Sequence, residues 1–342
     1  MRYRQLGNTG MFVSEICLGT MTFGGKGSFY EQVGKVGQKD VTAIVARTLE
    51  AGVNFIDTAD VYSLGLSEEL LGQALKDIGA RRSDVVIATK GFGRLGPGAN
   101  EAGASRGHLM DTVEESLKRL QTDHIDLYQI HGQDIVTPVE ETMRALEDMV
   151  RRGMVRYVGC SNWQAWKIMQ AQGIADKRGW TRLETVQAYY SLVGRGLERE
   201  VVPAIEDQKM GLMVWSPLAG GILSGKFGPN STPEGARRAT FDFPPVDRER
   251  AWPIVDAMRE IGKARGASPA RVALAWVLAK PFVTSVIIGV KTMEQLEDNL
   301  AASDLTLTPN EVKRLDDLSA LTPEFPGFMV ARQNNGRRPD EK

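Results

Sequence analysis

Eight short β-rich runs, each followed by an amphipathic helical pattern, constrain this chain more than any other feature of its sequence. The runs fall at residues 15–19, 53–57, 85–89, 125–130, 155–160, 185–188, 211–216 and 284–289. Alternation of this kind argues for parallel βα units, and eight is the number a closed parallel barrel needs. The expected fold class is therefore α/β, a (β/α)8 (TIM) barrel. The helices carry their own signals. Leu109, Val113, Leu117 and Leu120 repeat at helical spacing. Thr137-Pro138-Val139-Glu140 supplies an N-cap, a first-turn proline and a capping-box glutamate. Ser268-Pro269 opens a helix the same way, and Thr308-Pro309-Asn310-Glu311 opens one beyond the eighth strand.

Three segments exceed the minimal barrel. Residues 1–14 hold Gly7-Asn8-Thr9-Gly10 between strand-like runs and read as a hairpin closing the barrel bottom. Residues 217–248, rich in Gly and Pro, form a long loop after strand seven, and loops of that length inside a compact domain are usually functional. Residues 322–342 form a polar, charged tail whose end, from Asn334 to Lys342, reads as mobile. No repeat beyond the βα alternation and no linker interrupts the chain, so residues 1–342 read as a single domain.

Bulk properties exclude several classes of function. A net charge of −1 over 342 residues leaves no footprint for nucleic acid or an anionic membrane. No apolar run is long enough to span a bilayer, and Met1-Arg2-Tyr3-Arg4-Gln5 lacks the apolar core of a signal peptide. Cys17 and Cys160 make no disulfide framework and read as buried thiols, which fits a reducing cytoplasm. The histidines do not form a metal site, because His124 and His131 stand at opposite ends of one strand and His108 begins a helix elsewhere.

The chemistry gathers at strand ends. Asn54-Phe55-Ile56-Asp57-Thr58-Ala59-Asp60-Val61-Tyr62 is an apolar strand ending in a carboxylate, with a tyrosine five residues on. The next two apolar runs end in Lys90 and His131. The C-terminal strand ends of a parallel barrel form one rim, where active sites are built. Asp57, Lys90 and His131 would converge there, with Tyr62 above them. A lysine beside a tyrosine lowers the phenol pKa, giving a proton donor suited to reducing a carbonyl near neutral pH. Taken singly, Asp57 could equally be a helix cap and Tyr62 ordinary packing.

Two phosphate-loop patterns fail on context. Gly91-Phe92-Gly93-Arg94-Leu95-Gly96 follows a strand, but no helix opens before about Ser105, whereas a dinucleotide fingerprint opens directly into one. Gly220-Gly221-Ile222-Leu223-Ser224-Gly225-Lys226 has Phe227 where a P-loop needs a hydroxyl for Mg²⁺, which argues against nucleotide triphosphate hydrolysis.

In order, spacing and flanking residues, Asp57, Tyr62, Lys90 and His131 resemble the catalytic tetrad of the aldo-keto reductases. The resemblance runs from Leu6-Gly7-Asn8-Thr9-Gly10 to Gly289-Val290-Lys291-Thr292. It implies a nicotinamide cofactor, NADP(H), bound without a Rossmann domain, and no metal. Gly19, Thr20 and Met21 match the turn under the nicotinamide. Ser161, Asn162 and Gln187 resemble the residues that bind its carboxamide. Trp215 stands where the family has a ring-stacking aromatic, usually tyrosine; tryptophan resembles the branch of the potassium-channel β subunits. Ser216, Leu218, Gly220, Leu223 and Lys226 match a pyrophosphate loop, with Arg237, or its rival Arg238, closing over the adenosine side. Gly289, Lys291, Thr292, Gln295, Asp298 and Asn299 resemble the adenosine 2′-phosphate site at a helix N-terminus. Many relatives carry arginine at the position of Gln295.

The implied activity is reversible NADP(H)-dependent reduction of aldehydes or ketones, with Asp57 and Lys90 tuning Tyr62 and His131 orienting the carbonyl. Substrate would be a small molecule, and oligomeric state is not legible. Phe23, Phe29, Tyr30, Phe92, Trp163 and Phe328 suggest a roomy apolar pocket suited to a bulky ketone or ring alcohol. The competing class is a cofactor-sensing interaction protein like the potassium-channel β subunits, which carry asparagine where this chain has His131.

Overall fold

The computed structural model describes residues 1–229, 231–232, 238 and 241–337. Strands β1 (Tyr3–Gln5) and β2 (Phe12–Ser14) form an antiparallel hairpin. Strands β3 (Ile16–Gly19), β4 (Phe55–Asp57), β5 (Val86–Gly91), β6 (Ile125–Ile130), β7 (Val155–Ser161), β8 (Leu183–Tyr189), β9 (Gly211–Trp215) and β10 (Ser285–Gly289) close into a parallel barrel, β10 pairing with β3. All eight fall on the runs read from the sequence, with every strand end within two residues of the run it matches.

The period-two pattern sorts each strand into two cores. Phe55, Val86, Ala88, Leu127, Met213 and Ile287 pack with Cys17 inside the barrel. Their strand neighbours Ile56, Ile87, Tyr128, Val186 and Val214 face the helices in the outer core. Leu6 and Val13 of the hairpin join the inner cluster and so plug its lower end. Gly7 makes that close approach possible: its φ is +58°, and a Cβ there would come within 2.2 Å of the Glu184 carbonyl oxygen. Burial pushes both thiols, Cys17 and Cys160, above their ordinary range, leaving them as packing groups.

The helices are α1 (Ser28–Val33), α2 (Gln38–Glu50), α3 (Leu66–Asp77), α4 (Arg106–Arg119), α5 (Val139–Arg151), α6 (Ala165–Arg178), α7 (Val201–Asp207), α8 (Arg248–Arg265), α9 (Pro269–Leu278), α10 (Met293–Leu300), α11 (Pro309–Leu318) and α12 (Gly327–Asn334). Ser268 caps α9, and Thr308 with Glu311 forms a full capping box on α11. The start of α5 differs from its sequence signal. Pro138, not Thr137, occupies the N-cap position, because the Asp134 carboxylate accepts the Val136 and Thr137 N–H groups at 2.8 and 3.2 Å and holds that turn. The C-terminal tail contains α12, a helix its polar composition had not suggested. After β9 the chain runs through a 3₁₀ stretch, Ala219–Ser224, and reaches α8 only at Arg248. Among the described residues no helix is long and apolar enough to cross a membrane.

Candidate active site

Barrel register brings the polar strand ends together. Asp57, Lys90, Gln129 and Gln187 all replace apolar residues at the top of the inner face, one layer above Phe55, Ala88 and Leu127. Lys90 Nζ lies 2.6 Å from Asp57 Oδ2 and donates to the Thr58 carbonyl at 2.7 Å and to the Tyr62 hydroxyl at 3.2 Å. Gln187 and Gln129 donate to Asp57 Oδ1 at 2.8 and 3.3 Å, so both oxygens of this buried carboxylate are satisfied. Tyr62 begins a tight 3₁₀ turn, Tyr62–Gly65, tied to the loop after β3 by Ser63, whose hydroxyl donates to the Phe23 carbonyl at 2.7 Å. The His131 ring meets the Tyr62 ring edge-on, centroids 5.7 Å apart. Asp57, Tyr62, Lys90 and His131 thus share one rim.

Electrostatics gives each group a distinct state. Burial opposes the charge on Lys90, but Asp57 and Tyr62 outweigh it and hold the amine above its ordinary pKa. Burial, with Lys90 adding to it, pushes His131 down to about 3, so its imidazole is neutral at pH 7. Tyr62 corrects a simple expectation. Lys90 does pull the phenol down, but burial is the larger effect and the net shift is upward. Tyr62 therefore stands protonated across the neutral range.

Asn162 links three strands of the rim. It takes φ +60°, its Oδ1 accepts from Trp215 Nε1 at 2.9 Å, and its Nδ2 donates to Ser161 Oγ and the His131 carbonyl at 3.0 and 3.2 Å. Gly19 pairs with Asp57 in register, Thr20 is buried with its hydroxyl 2.8 Å from Ser67, and Met21 is half-buried beside them. In the loop after β9, Ser216 accepts the Gly220 N–H at 3.1 Å; Leu218 is half-buried, Leu223 buried and Lys226 exposed. Thr292 caps α10, and Gln295 folds back to accept the Lys291 N–H at 2.8 Å, beside the exposed Gly289. Asp298 is committed to Arg271 and Ser268, both at 2.7 Å, and Asn299 is buried. Arg237 lies outside the described residues. Arg238 is buried, donates to the Ala219 and Pro244 carbonyls and pairs with Asp242, bracing the loop.

The aromatic residues separate into two groups. Tyr62, Tyr30, Phe29, Phe241, Phe243 and Trp215 form a continuous chain of ring contacts, with centroid spacings from 5.0 to 6.2 Å. Phe92 packs half-buried against the outer core beside Gly132. Phe23 and Trp163 are corrections: Phe23 has no exposed surface, and Trp163 is 5% exposed with its Nε1 bonded to the Gly132 carbonyl, so both serve the core. Phe328 lies on exposed α12 against Phe325 rather than in the ring chain. Phe241 and Phe243 were not singled out in the sequence, nor was Asp60, a buried carboxyl three residues from Asp57. A polar residue at an inward strand position was the available signal for Gln129. Among the described residues no group of His, Cys, Asp and Glu is arranged to hold a metal ion.

Comparison with known proteins agrees with this geometry. The family model described as the Aldo/keto reductase family matches residues 15–320. An uncharacterized oxidoreductase of Bacillus subtilis is 39% identical, covering 96% of this chain and 97% of the relative. A rice protein named as a probable voltage-gated potassium channel subunit beta is 36% identical over 92% of this chain and 96% of its own. Versiconal hemiacetal acetate reductase of Aspergillus parasiticus is 35% identical over 92% and 95%.

Proposed function

Since this chain belongs to the aldo/keto reductase family, we propose that it interconverts aldehydes or ketones with alcohols using NADP(H), with Tyr62 as the acid–base group. The observation that carries the reading is Lys90 bridging Asp57 and the Tyr62 hydroxyl at 2.6 and 3.2 Å, with neutral His131 beside the same phenol. When bound, NADP(H) supplies or accepts the hydride at its nicotinamide C4.

The donor set fits that cofactor. Ser161, Asn162 and Gln187 offer hydroxyl and amide groups at the rim for a carboxamide, and Trp215 offers a ring face. Lys226 is an exposed cation on a loop whose Gly220 and Gly221 take φ of 63° and 99°, letting backbone come close to a pyrophosphate. Lys291 stands at the N-terminus of α10, a favourable place for a phosphate. No carboxylate lies between residues 289 and 293 to claim a free ribose 2′-hydroxyl.

The residues then divide the work. Protonated Tyr62 gives its proton to the carbonyl oxygen in reduction and takes it back in oxidation. Lys90, held charged by Asp57, stabilises negative charge developing on the phenol oxygen. His131, neutral, can donate a hydrogen bond to the carbonyl oxygen without competing for the proton. The ring chain from Tyr30 to Trp215 favours an apolar, ring-bearing carbonyl or alcohol. NADPH consumption with a panel of aldehydes and ketones, repeated with NADP and ring alcohols, tests this reading. Turnover with at least one carbonyl is expected. Tight NADPH binding without turnover on any of them would favour a cofactor-sensing role, the reading suggested by likeness to the rice channel subunit; His131 argues for the enzyme.

Lys291→Ala should weaken NADPH far more than NADH, because only NADPH carries the 2′-phosphate. A charge-assisted contact is worth about 1.5–3 kcal/mol, so the NADPH-to-NADH preference should fall about tenfold or more. Equal loss for both cofactors, measured by fluorescence titration, would remove Lys291 from the phosphate site.

A further inference from the structure

Asp60 is a buried carboxyl that the tetrad leaves without a role. It stands on the turn between β4 and Tyr62, and its own N–H donates to the Lys90 carbonyl at 3.1 Å, which fixes it beside β5. It has no exposed surface, and neither side-chain oxygen meets a partner in good hydrogen-bonding geometry. Such a group is costly to bury and calls for an explanation.

Its surroundings are charged on several sides. Glu68 faces it from α3, Arg119 from α4, Lys90 from β5, Tyr128 from β6 and Tyr30 from α1, with Tyr62 on its own turn. Both nearby cations are already paired. Arg119 lies 2.7 Å from buried Glu68, which also accepts the Thr89 hydroxyl, and Lys90 lies 2.6 Å from Asp57. Three carboxyl groups therefore share two cations, and Asp60 is the one left over. The cluster is electrically balanced only while Asp60 carries its proton.

We infer, resting on the reading of Tyr62 as the acid–base group, that Asp60 is a positioning residue for that proton: once ionised, its unshared charge opposes loss of the phenol proton. The state of Asp60 fits this part. Burial pushes its pKa up to about 8, with Glu68 adding to the rise and the Val61 N–H, Arg119 and Lys90 opposing it. At pH 7 Asp60 is mostly neutral and leaves Tyr62 to Lys90. Above pH 8 its charge appears beside a phenol already raised by burial, and carbonyl reduction keeps its proton donor to higher pH.

The test is Asp60→Asn in the enzyme with NADP(H), with turnover followed from pH 6 to 10. Without the opposing charge, the falling limb of carbonyl reduction and the rising limb of alcohol oxidation should move together to lower pH, by about half a unit or more. Thermal midpoints supply a second reading. The folded-state pKa of Asp60 is raised above the unfolded value, so its proton contributes stability that is present below about pH 4 and lost as pH rises toward 8. The Asn variant should therefore gain on the wild type between pH 5 and 8, and the difference should level off above that. Unmoved limbs, or a midpoint difference independent of pH, would overturn the inference. If the variant does not fold, carbon-13 labelling of aspartate carboxyls in the wild type decides: one titrating near pH 8 supports the inference, and none above the ordinary range overturns it. A wild type without turnover overturns the functional reading instead, whatever this carboxyl does.

Discussion

Tyr62→Phe should turn over carbonyls at least ~100-fold more slowly than the wild type, the range for removing a positioned acid–base group, while still folding and binding NADPH within a few-fold. The change removes one hydroxyl and keeps the ring that packs on His131 and Tyr30. Lys90 loses its 3.2 Å contact but keeps Asp57 at 2.6 Å and the Thr58 carbonyl at 2.7 Å, so no buried charge is stranded. Separation of the two readouts is what identifies the hydroxyl as a proton donor rather than a packing group. Steady-state turnover and a cofactor titration on the same preparation check it. Unchanged turnover would remove Tyr62 from the chemistry.

Lys90→Met should damage both stability and turnover. Lys90 is fully buried and Asp57 is 2% exposed, so deleting the amine leaves a carboxylate in the barrel with only the Gln129 and Gln187 amides to hold it. Breaking a buried pair by removing one partner costs about 3–5 kcal/mol, which a denaturant titration reads directly. The double variant Asp57→Asn/Lys90→Met removes the stranded charge, so it should recover much of that stability. It should not recover turnover, because the phenol has lost the cation that stabilises its developing charge. A single variant as stable as the wild type would contradict the ion pair as described; a double variant with restored turnover would contradict the role of Lys90.

The eight strands and the meeting of Asp57, Lys90 and His131 at one rim were legible because both rest on local pattern. Strand alternation is a period in the sequence, and Asp57, Lys90 and His131 each end or follow such a run. What escaped depends on pairings that no local pattern encodes. Phe241 and Phe243, just ahead of α8, meet Phe29 and Trp215 only through long-range ring contacts that the fold creates. Phe23 and Trp163 have the composition of pocket-lining residues, yet their loops turn them into the core. The acidity of Tyr62 ran against expectation because the adjacent lysine was visible in the sequence and the depth of burial was not. Asp60 was passed over for a related reason: only the fold shows that Glu68 has taken Arg119 and Asp57 has taken Lys90.

The most direct measurement follows the hydrogen itself. NADPH carrying deuterium at the transferable position of nicotinamide C4 is incubated with the wild type and an aldehyde substrate from the panel, and the alcohol product is analysed by mass spectrometry and NMR. Hydride transfer at this site predicts one deuterium per product molecule, on the former carbonyl carbon, with the hydroxyl proton drawn from solvent by way of Tyr62. Product without deuterium at that carbon, or bound NADPH that reduces no carbonyl, would contradict it.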